Sequence, residues 1–424
     1  MSVDVNYIRE QFPSLDLEAG GRTAAFFDGP AGTQVPGQVI DAMEDYLIEK
    51  NANKGGAFLT SRRTDKLIRS ARRAMADFVN GRWQEIAFGE NMTTLNYRLA
   101  FALGRRLEQG DEILITRMDH EANRQPWLDL KEKGIEIRQV EVNRENCTLD
   151  LEDFERKLNE KTAVAAFTHA SNAVGTIPPV QEMVKMSREA GAITVVDAVH
   201  YAPHGLIDVQ KLNCDFLLCS SYKFFGPHLG ILYGRRETFE KIDPYRLRPQ
   251  SDAVPFRIER GTKNHEGIAG ARAAVNFIAS LGEKFGSAGE QDNFPADEKS
   301  ERRKQIADAM KILDDYENEL AEELVRELEN LPEVTVYRPP ANVPCTSTVS
   351  FTAEGIPAPE MAEKLGERGI FVWAGDFYAT TLIEDLGLSD IGGLLRTGIS
   401  PYNTGEEVKR LAGVVKEIVG TSTI

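Results

Sequence analysis

The sequence is poor in thiols and histidine, with four cysteines and six histidines in 424 residues. Cys147, Cys214, Cys219 and Cys345 form no CxxC pair and none stands near a histidine at metal-ligand spacing. No metal site is expected, and zinc ribbons and thioredoxin-like centres are excluded. Cys214 and Cys219 flank the apolar run from Asp215 and read as core thiols of a reducing compartment. No apolar run approaches the roughly 18–20 residues that cross a bilayer, so no membrane is expected. The start, MSVDVNYIREQFPSL, carries no basic apolar leader, which predicts a cytoplasmic protein. Lys and Arg together number 50 against 66 Asp and Glu, a net charge of -16, and no basic block occurs. That balance excludes nucleic acid as an expected partner. Neither GxGxxG nor GxxxxGK[ST] is present, which removes the common glycine-rich nucleotide loops.

What the chain does have is an alternation of short apolar runs with amphipathic segments. EIAF (85–88), EILITR (112–117), EIRQVEV (136–142), TAVAAFTH (162–169), AITVVDA (192–198) and FLLCSS (216–221) read as buried strands. The helical patterns between them predict βαβ units and a mainly parallel sheet, a doubly wound α/β domain. The pattern changes near residue 285 in a polar stretch with Gly and Pro. Beyond it, Ile306, Met310, Leu313, Tyr316, Leu320, Leu324 and Leu328 recur at spacings of three and four, one face of a long helix. VTVYRP, STVSFTA, a helix from Glu360, IFVWAG and LLRTGIS follow. A last helix starts at Asn403 or Thr404 with a glutamate placed for a capping box. The division expected is residues 1–25 as a segment on the small domain, 26–290 as a large α/β domain, and 291–424 as a smaller α+β domain.

The chemistry concentrates at strand ends, where open α/β sheets bind ligands. Asp197 closes one apolar run. A buried carboxylate there needs a cationic partner. Lys223 follows the next run, 26 residues on. A lysine amine that forms a Schiff base and an acid set against a pyridine nitrogen are the pair needed by pyridoxal 5′-phosphate (PLP). Either residue alone has an ordinary reading, as a turn cap or a surface lysine. Two adjacent strand ends would bring both to one ring. A phosphate cradle is expected where Gly89-Glu90-Asn91-Met92-Thr93 opens a helix, since free N–H groups attract anions there. Ser220 and Tyr222 would add hydroxyls. His120, at another strand–helix junction, could lie on the ring.

Together with FFDGPAGTQVPGQVIDAM, DHEAN, SNAVGTIPPV, VVDAVHYAPHG, SSYKFFGPHLGILYG, RGTKN and LLRTGISPYNTGEEV, these residues resemble the class V, fold-type I PLP enzymes over nearly the whole length. The group containing cysteine desulfurases, selenocysteine lyases and isopenicillin-N epimerases is the most similar. The resemblance implies a large domain with a mainly parallel seven-stranded sheet and a smaller α+β C-terminal domain. It makes Lys223 the Schiff-base lysine and general acid/base, and Asp197 the partner of the pyridinium. It stacks His120 on the ring, with Ala198 or Val199 beneath, and directs Asn172 at the ring oxygen. It gives the phosphate to Asn91, Met92, Ser220 and Tyr222. Thr262 would reach the phosphate of a neighbouring subunit, which implies a homodimer with shared active sites. Arg396 would clamp the carboxylate of an amino-acid substrate, a role suited to its planar fork.

Two departures shape the expected reaction. Desulfurases of this group carry a loop cysteine where this chain has Tyr378, and a phenol cannot replace a thiolate in attack on sulfur. They also carry glutamine where this chain has His200, which is expected to buttress Asp197 or to tune the ring oxygen. Asp376 and Tyr378 are expected to face the substrate. The reading that follows is a C–S β-lyase or an aminotransferase, not a persulfide-forming desulfurase. An epimerase of the isopenicillin-N type is the alternative. A non-catalytic scaffold is disfavoured by the intact set of site residues.

Overall fold

The computed structural model describes residues 3–286 and 300–421. The expected boundary at 290/291 falls outside the described residues. Seven strands form one sheet: β1 (Ile86–Gly89), β2 (Glu112–Thr116), β3 (Glu136–Val140), β4 (Thr162–Thr168), β5 (Ile193–Asp197), β6 (Phe216–Ser220) and β7 (Gly230–Gly234). Their order across the sheet is β1-β7-β6-β5-β4-β2-β3. From β6 to β3 every neighbouring pair is parallel, while β7 runs antiparallel to both β6 and β1. The six runs read from the sequence each supply a strand. GILYG, which supplies β7, was not among them.

Burial on both faces explains the unbroken apolar runs, because helices cover the sheet from either side. Successive residues point to opposite faces. Val196 joins a core with Met75, Ile268 and Met183, and Val195 joins one with Leu95, Leu99 and Trp127. The segment after His120, read as one helix, is broken into short turns at 121–123, 125–128 and 129–133. Pro126 and Gly134 account for the interruption.

A second sheet contains β8 (Val334–Tyr337), β9 (Thr348–Ala353), β10 (Trp373–Gly375) and β11 (Leu394–Gly398), ordered β8-β9-β11-β10 and antiparallel throughout. IFVWAG divides in two. Ile370–Phe371 pairs in parallel with Ala25–Phe26, and only the following residues enter the second sheet as β10. The helix Glu301–Glu329 carries the expected stripe, and that stripe serves two cores. Ile306, Met310 and Leu313 pack into the large one, and Leu320, Leu324 and Leu328 into that of the second sheet. The closing helix Gly405–Thr421 opens with a capping box, in which Thr404 Oγ1 accepts from Glu407 N–H at 3.2 Å and Glu407 accepts from Thr404 N–H at 3.1 Å. Near the start of the chain, Arg9 reaches Glu407 at 2.9 Å while Phe12 packs edge-on against Phe277 and Tyr402. Among the described residues no helix is long and apolar enough to cross a membrane.

Candidate active site

The carboxyl ends of β1, β2, β4, β5 and β6 converge below the second sheet. A cavity of about 740 Å³ opens there, lined among others by His120, Asn172, Lys223, Asp376, Tyr378 and Arg396. A smaller recess of about 70 Å³ adjoins it and reaches Asn91, Met92, Asp197, His200 and Ser220. Sequence-predicted residues from seven separate segments therefore share one site.

Asp197 is the last residue of β5, in register with Thr168 of β4 and Leu218 of β6. Its carboxylate accepts the Val199 N–H at 2.9 Å. No cation forms an ion pair with it among the described residues. Burial raises its pKa to about 6, against that hydrogen bond and the charge of Lys223. A buried acid in this recess with no ion-pair partner is suited to a protonated ring nitrogen.

Lys223 stands on the turn after β6 and is 8% exposed. Its ammonium donates to the carbonyl oxygens of Pro30 and Ala31, the latter at 3.2 Å. Burial and Arg396 lower its pKa to about 7, and Asp197 opposes the shift. A lysine poised this way is neutral often enough at physiological pH to act as nucleophile and base.

The cradle follows from β1. Asn91 caps the helix Met92–Gly104 by accepting the Thr94 N–H at 2.8 Å, and Ser220 Oγ accepts the Met92 N–H at 3.1 Å. β7 passes so close that a Cβ on Gly230 would lie 2.4 Å from the Asn91 carbonyl carbon. Glycine at 230 is what lets this turn sit against the sheet. Tyr222 stacks on His228, their ring centroids 4.7 Å apart.

His120 accepts the Ala122 N–H on Nδ1 at 2.9 Å. Burial, Lys223 and Arg396 lower its pKa to about 4, so the ring is neutral. Asn172 donates from Nδ2 to the Phe377 carbonyl at 2.9 Å and leaves a buried Oδ1 without a partner. Arg396, from β11, is 4% exposed and donates to the Asn172 carbonyl at 2.7 Å, while its Nε is buried and unpartnered. Burial lowers its pKa to about 9.

Asp376 accepts the Tyr378 N–H at 3.0 Å and the Thr380 hydroxyl at 2.7 Å. Tyr378 is 70% exposed and stacks on His120 at 5.5 Å. His200 makes no hydrogen bond to Asp197. Its Nε2 meets Thr348 Oγ1 at 2.9 Å, on the second sheet. Thr262 is exposed and lines neither cavity. Sequence reasoning missed Phe377, whose ring lies 4.1 Å from the Arg396 guanidinium carbon, and Asp28, a buried carboxyl raised to about 6 by burial. It also missed the Pro30 and Ala31 carbonyls. FFDGPAG was the one available signal, and it was read only as a motif.

The aminotransferase class-V profile matches residues 25–292 and 306–411. The chain belongs to the class-V aminotransferase family. It is 31% identical to a probable cysteine desulfurase of Halalkalibacterium halodurans over 97% of each chain. It is 30% identical to a cysteine desulfurase of Escherichia coli over 99% of each chain. The solved cysteine desulfurase of Thermococcus onnurineus superposes with a TM-score of 0.86 at 27% identity, covering 99% of each chain. An Escherichia coli cysteine desulfurase structure, 24% identical with a TM-score of 0.82, shares the fold.

Enzymes of this family use PLP, and this chain is a PLP-dependent enzyme. The residues fit the cofactor. The recess places Asp197 without an ion-pair partner, the orphaned Asn172 Oδ1, the Met92 helix start and Lys223 around one space. The comparisons correct the expected reaction. These relatives are named cysteine desulfurases, not β-lyases, aminotransferases or epimerases, so the reading drawn from the missing loop cysteine is withdrawn. That reading gave one exposed loop position the power to decide the reaction. The groups around Lys223 stand on strand ends that do not depend on residue 378.

Proposed function

We propose that this class-V enzyme removes sulfur from L-cysteine, leaving alanine. The observation that carries the reading is a single cavity joining Lys223 to Arg396 in a chain that matches cysteine desulfurases from end to end. When bound, PLP supplies an aldehyde for amines and a ring that accepts electrons from the substrate carbon. Lys223 would hold the cofactor through its amine, and it is the group placed to take and return the proton at the substrate Cα. Its lowered pKa supports this, since a base working near neutrality transfers protons efficiently. Asp197 would keep a proton on the ring nitrogen. His120 is neutral and would border the ring without adding charge. Asn172 and the cradle of Asn91, Met92, Ser220 and Tyr222 would orient the ring and phosphate. Arg396 holds the substrate carboxylate. Desolvation strengthens that pairing, and Phe377 keeps water from one side of the guanidinium. Asp376 and Tyr378 border the substrate, and His200 braces the strand end of Asp197 against the second sheet.

A homodimer belongs to the same reading. Thr262 is exposed and away from the cavity, as a residue serving the neighbouring subunit's phosphate would be. Leu47, Ile48, Phe58, Leu59, Tyr245 and Leu247 are exposed apolar side chains that a second copy would cover. Sedimentation at equilibrium tests that mass. The four free thiols favour a reducing compartment such as the cytoplasm. The reaction is tested by incubating the purified protein with L-cysteine. Alanine and released or transferred sulfur are expected in equal amounts, and none with Lys223→Ala. Pyruvate in place of alanine overturns the proposal.

A further inference from the structure

We infer that the thiol accepting the sulfur is a small diffusible molecule entering the cavity beside Trp373 and Tyr378, and not a cysteine of this chain. The inference rests on the desulfuration reading above and names its second substrate. Sulfur leaving a cysteine side chain to yield alanine needs a nucleophile to take it. The chain has four thiols, all among the described residues, and none lines the cavity or the recess. Cys214 and Cys219 are fully buried in the large domain, and Cys147 is buried beneath the Thr176 hydroxyl that its carbonyl holds. Cys345 lies in a bridge beside Thr176, its sulfur 3.2 Å from the Thr346 carbonyl. Burial pushes the Cys147 and Cys345 thiols up to about 11, far from the thiolate form that attacks sulfur.

The loop bordering the cavity cannot deliver a substitute. Glu121 N–H donates to the Tyr378 carbonyl at 2.7 Å, Asn172 to the Phe377 carbonyl, and Asp376 caps the same turn. These bonds tie the loop to the floor, and it carries no thiol. The cavity is instead open at its mouth, where Trp373 is 51% exposed and Tyr378 70%. Lys223 and Arg396 line its floor, where the substrate is held. Lys223 and Arg396 are almost wholly buried, so a thiol on a globular partner would need an extended arm to reach them. A small thiol needs none.

The step balances with that one co-reactant. The acceptor thiolate attacks the substrate sulfur, a sulfur–sulfur bond forms and the Cβ–S bond breaks. The electron pair of that bond stays on Cβ, which is reduced and takes a proton, while the transferred sulfur is oxidised to the sulfane level. Cysteine and one thiol give alanine and one persulfide.

The test uses the PLP-loaded enzyme with sulfur-labelled L-cysteine at fixed concentration and increasing 2-mercaptoethanol or glutathione. Alanine is measured, and persulfides are trapped by alkylation and located by mass spectrometry. Alanine formation is expected to rise severalfold with added thiol, with the label on the small thiol and none on peptides of the protein. Cys345→Ala is expected to keep that dependence; should it not fold, the labelled peptides of the unmodified protein decide the question. Label on Cys345 or on any other peptide of the protein, or alanine only when a thiol-bearing protein is supplied, overturns the inference and leaves desulfuration standing. No alanine under any condition overturns the desulfuration reading itself.

Discussion

Asp197 and Lys223 stand at the ends of the buried strands β5 and β6, whereas Asp376, Phe377 and Tyr378 stand on a loop beyond the edge strand β10 of the other sheet. The floor is charged, enclosed and fixed by backbone ladders on both sides. The mouth is aromatic and exposed, and single hydrogen bonds from Glu121 N–H and Asn172 Nδ2 to its carbonyls fasten it to the floor. Phe377 and Tyr378 both adopt positive φ, 55° and 57°, which costs a non-glycine residue about 1–2 kcal/mol. Changing a floor residue leaves a buried charge or an unfilled bond. Changing a mouth residue alters what enters. The floor should therefore govern whether chemistry occurs, and the mouth how well a substrate is received.

Removing the floor lysine is the sharpest test of that division. Lys223→Ala is expected to lower kcat on the order of 10³-fold or more, as loss of a central catalytic group does. Borohydride reduction of the PLP-loaded protein should attach the cofactor at residue 223 in the parent and at no residue in the variant. A persistent adduct elsewhere breaks the assignment. Arg396→Ala ranks next, with a loss on the order of 10² in kcat/KM carried mainly by KM, because the carboxylate loses a charge-assisted partner. PLP affinity, measured by titration, should change little. Equal losses of cofactor and amino-acid binding would erase the distinction between holding the ring and holding the substrate.

The same division explains what could be read in the sequence. Lys223 and Asp197 were legible because parallel strands turn a separation of 26 residues into adjacency, and Asp197 does pair with Leu218 two residues before the end of β6. The stripe on Glu301–Glu329 was legible because helical periodicity is local. The contacts of the mouth are not local: Asn172 meets Phe377 across 205 residues and Arg396 across 224. Nothing in a DFYA segment announces that its carbonyls will be tied to His120's neighbour and to Asn172. His200 was placed near Asp197 by proximity in the chain, yet its side chain turns to Thr348 of the second sheet. The strand β7 was passed over because GILYG, between a glycine-proline turn and a basic pair, carries glycine at both ends. Those glycines are there for close packing, one of them against Asn91.

Charge coupling across the floor gives a smaller and more specific effect. Lys223 is held at about 7 by burial and Arg396, with Asp197 pulling the other way. Attack on an aldehyde needs the neutral amine, so loading of the apoprotein with PLP should quicken as pH rises through about 7 and then level off. Arg396→Ala removes a positive neighbour and should move that midpoint upward. Asp197→Asn removes a negative one and should move it downward. Following the visible absorbance after mixing, at a series of pH values, measures all three. A midpoint near the ordinary lysine value of ~10.5 in the parent would show that burial does not tune this amine.

The smallest expected effect belongs to the mouth. Tyr378→Gly removes an exposed ring from His120 and places glycine where φ is 57°. Glycine adopts that conformation without steric cost, which offsets the lost stacking and the added freedom of the unfolded chain. Thermal stability should change by no more than about 1 kcal/mol in either direction. Catalysis should change by a few-fold, in KM more than in kcat, since Asp376 still caps the turn through the residue 378 N–H and Glu121 still bonds its carbonyl. A drop in kcat comparable with that of Lys223→Ala, in a protein with unchanged melting, would make the phenol a participant in the chemistry and dissolve the separation between floor and mouth.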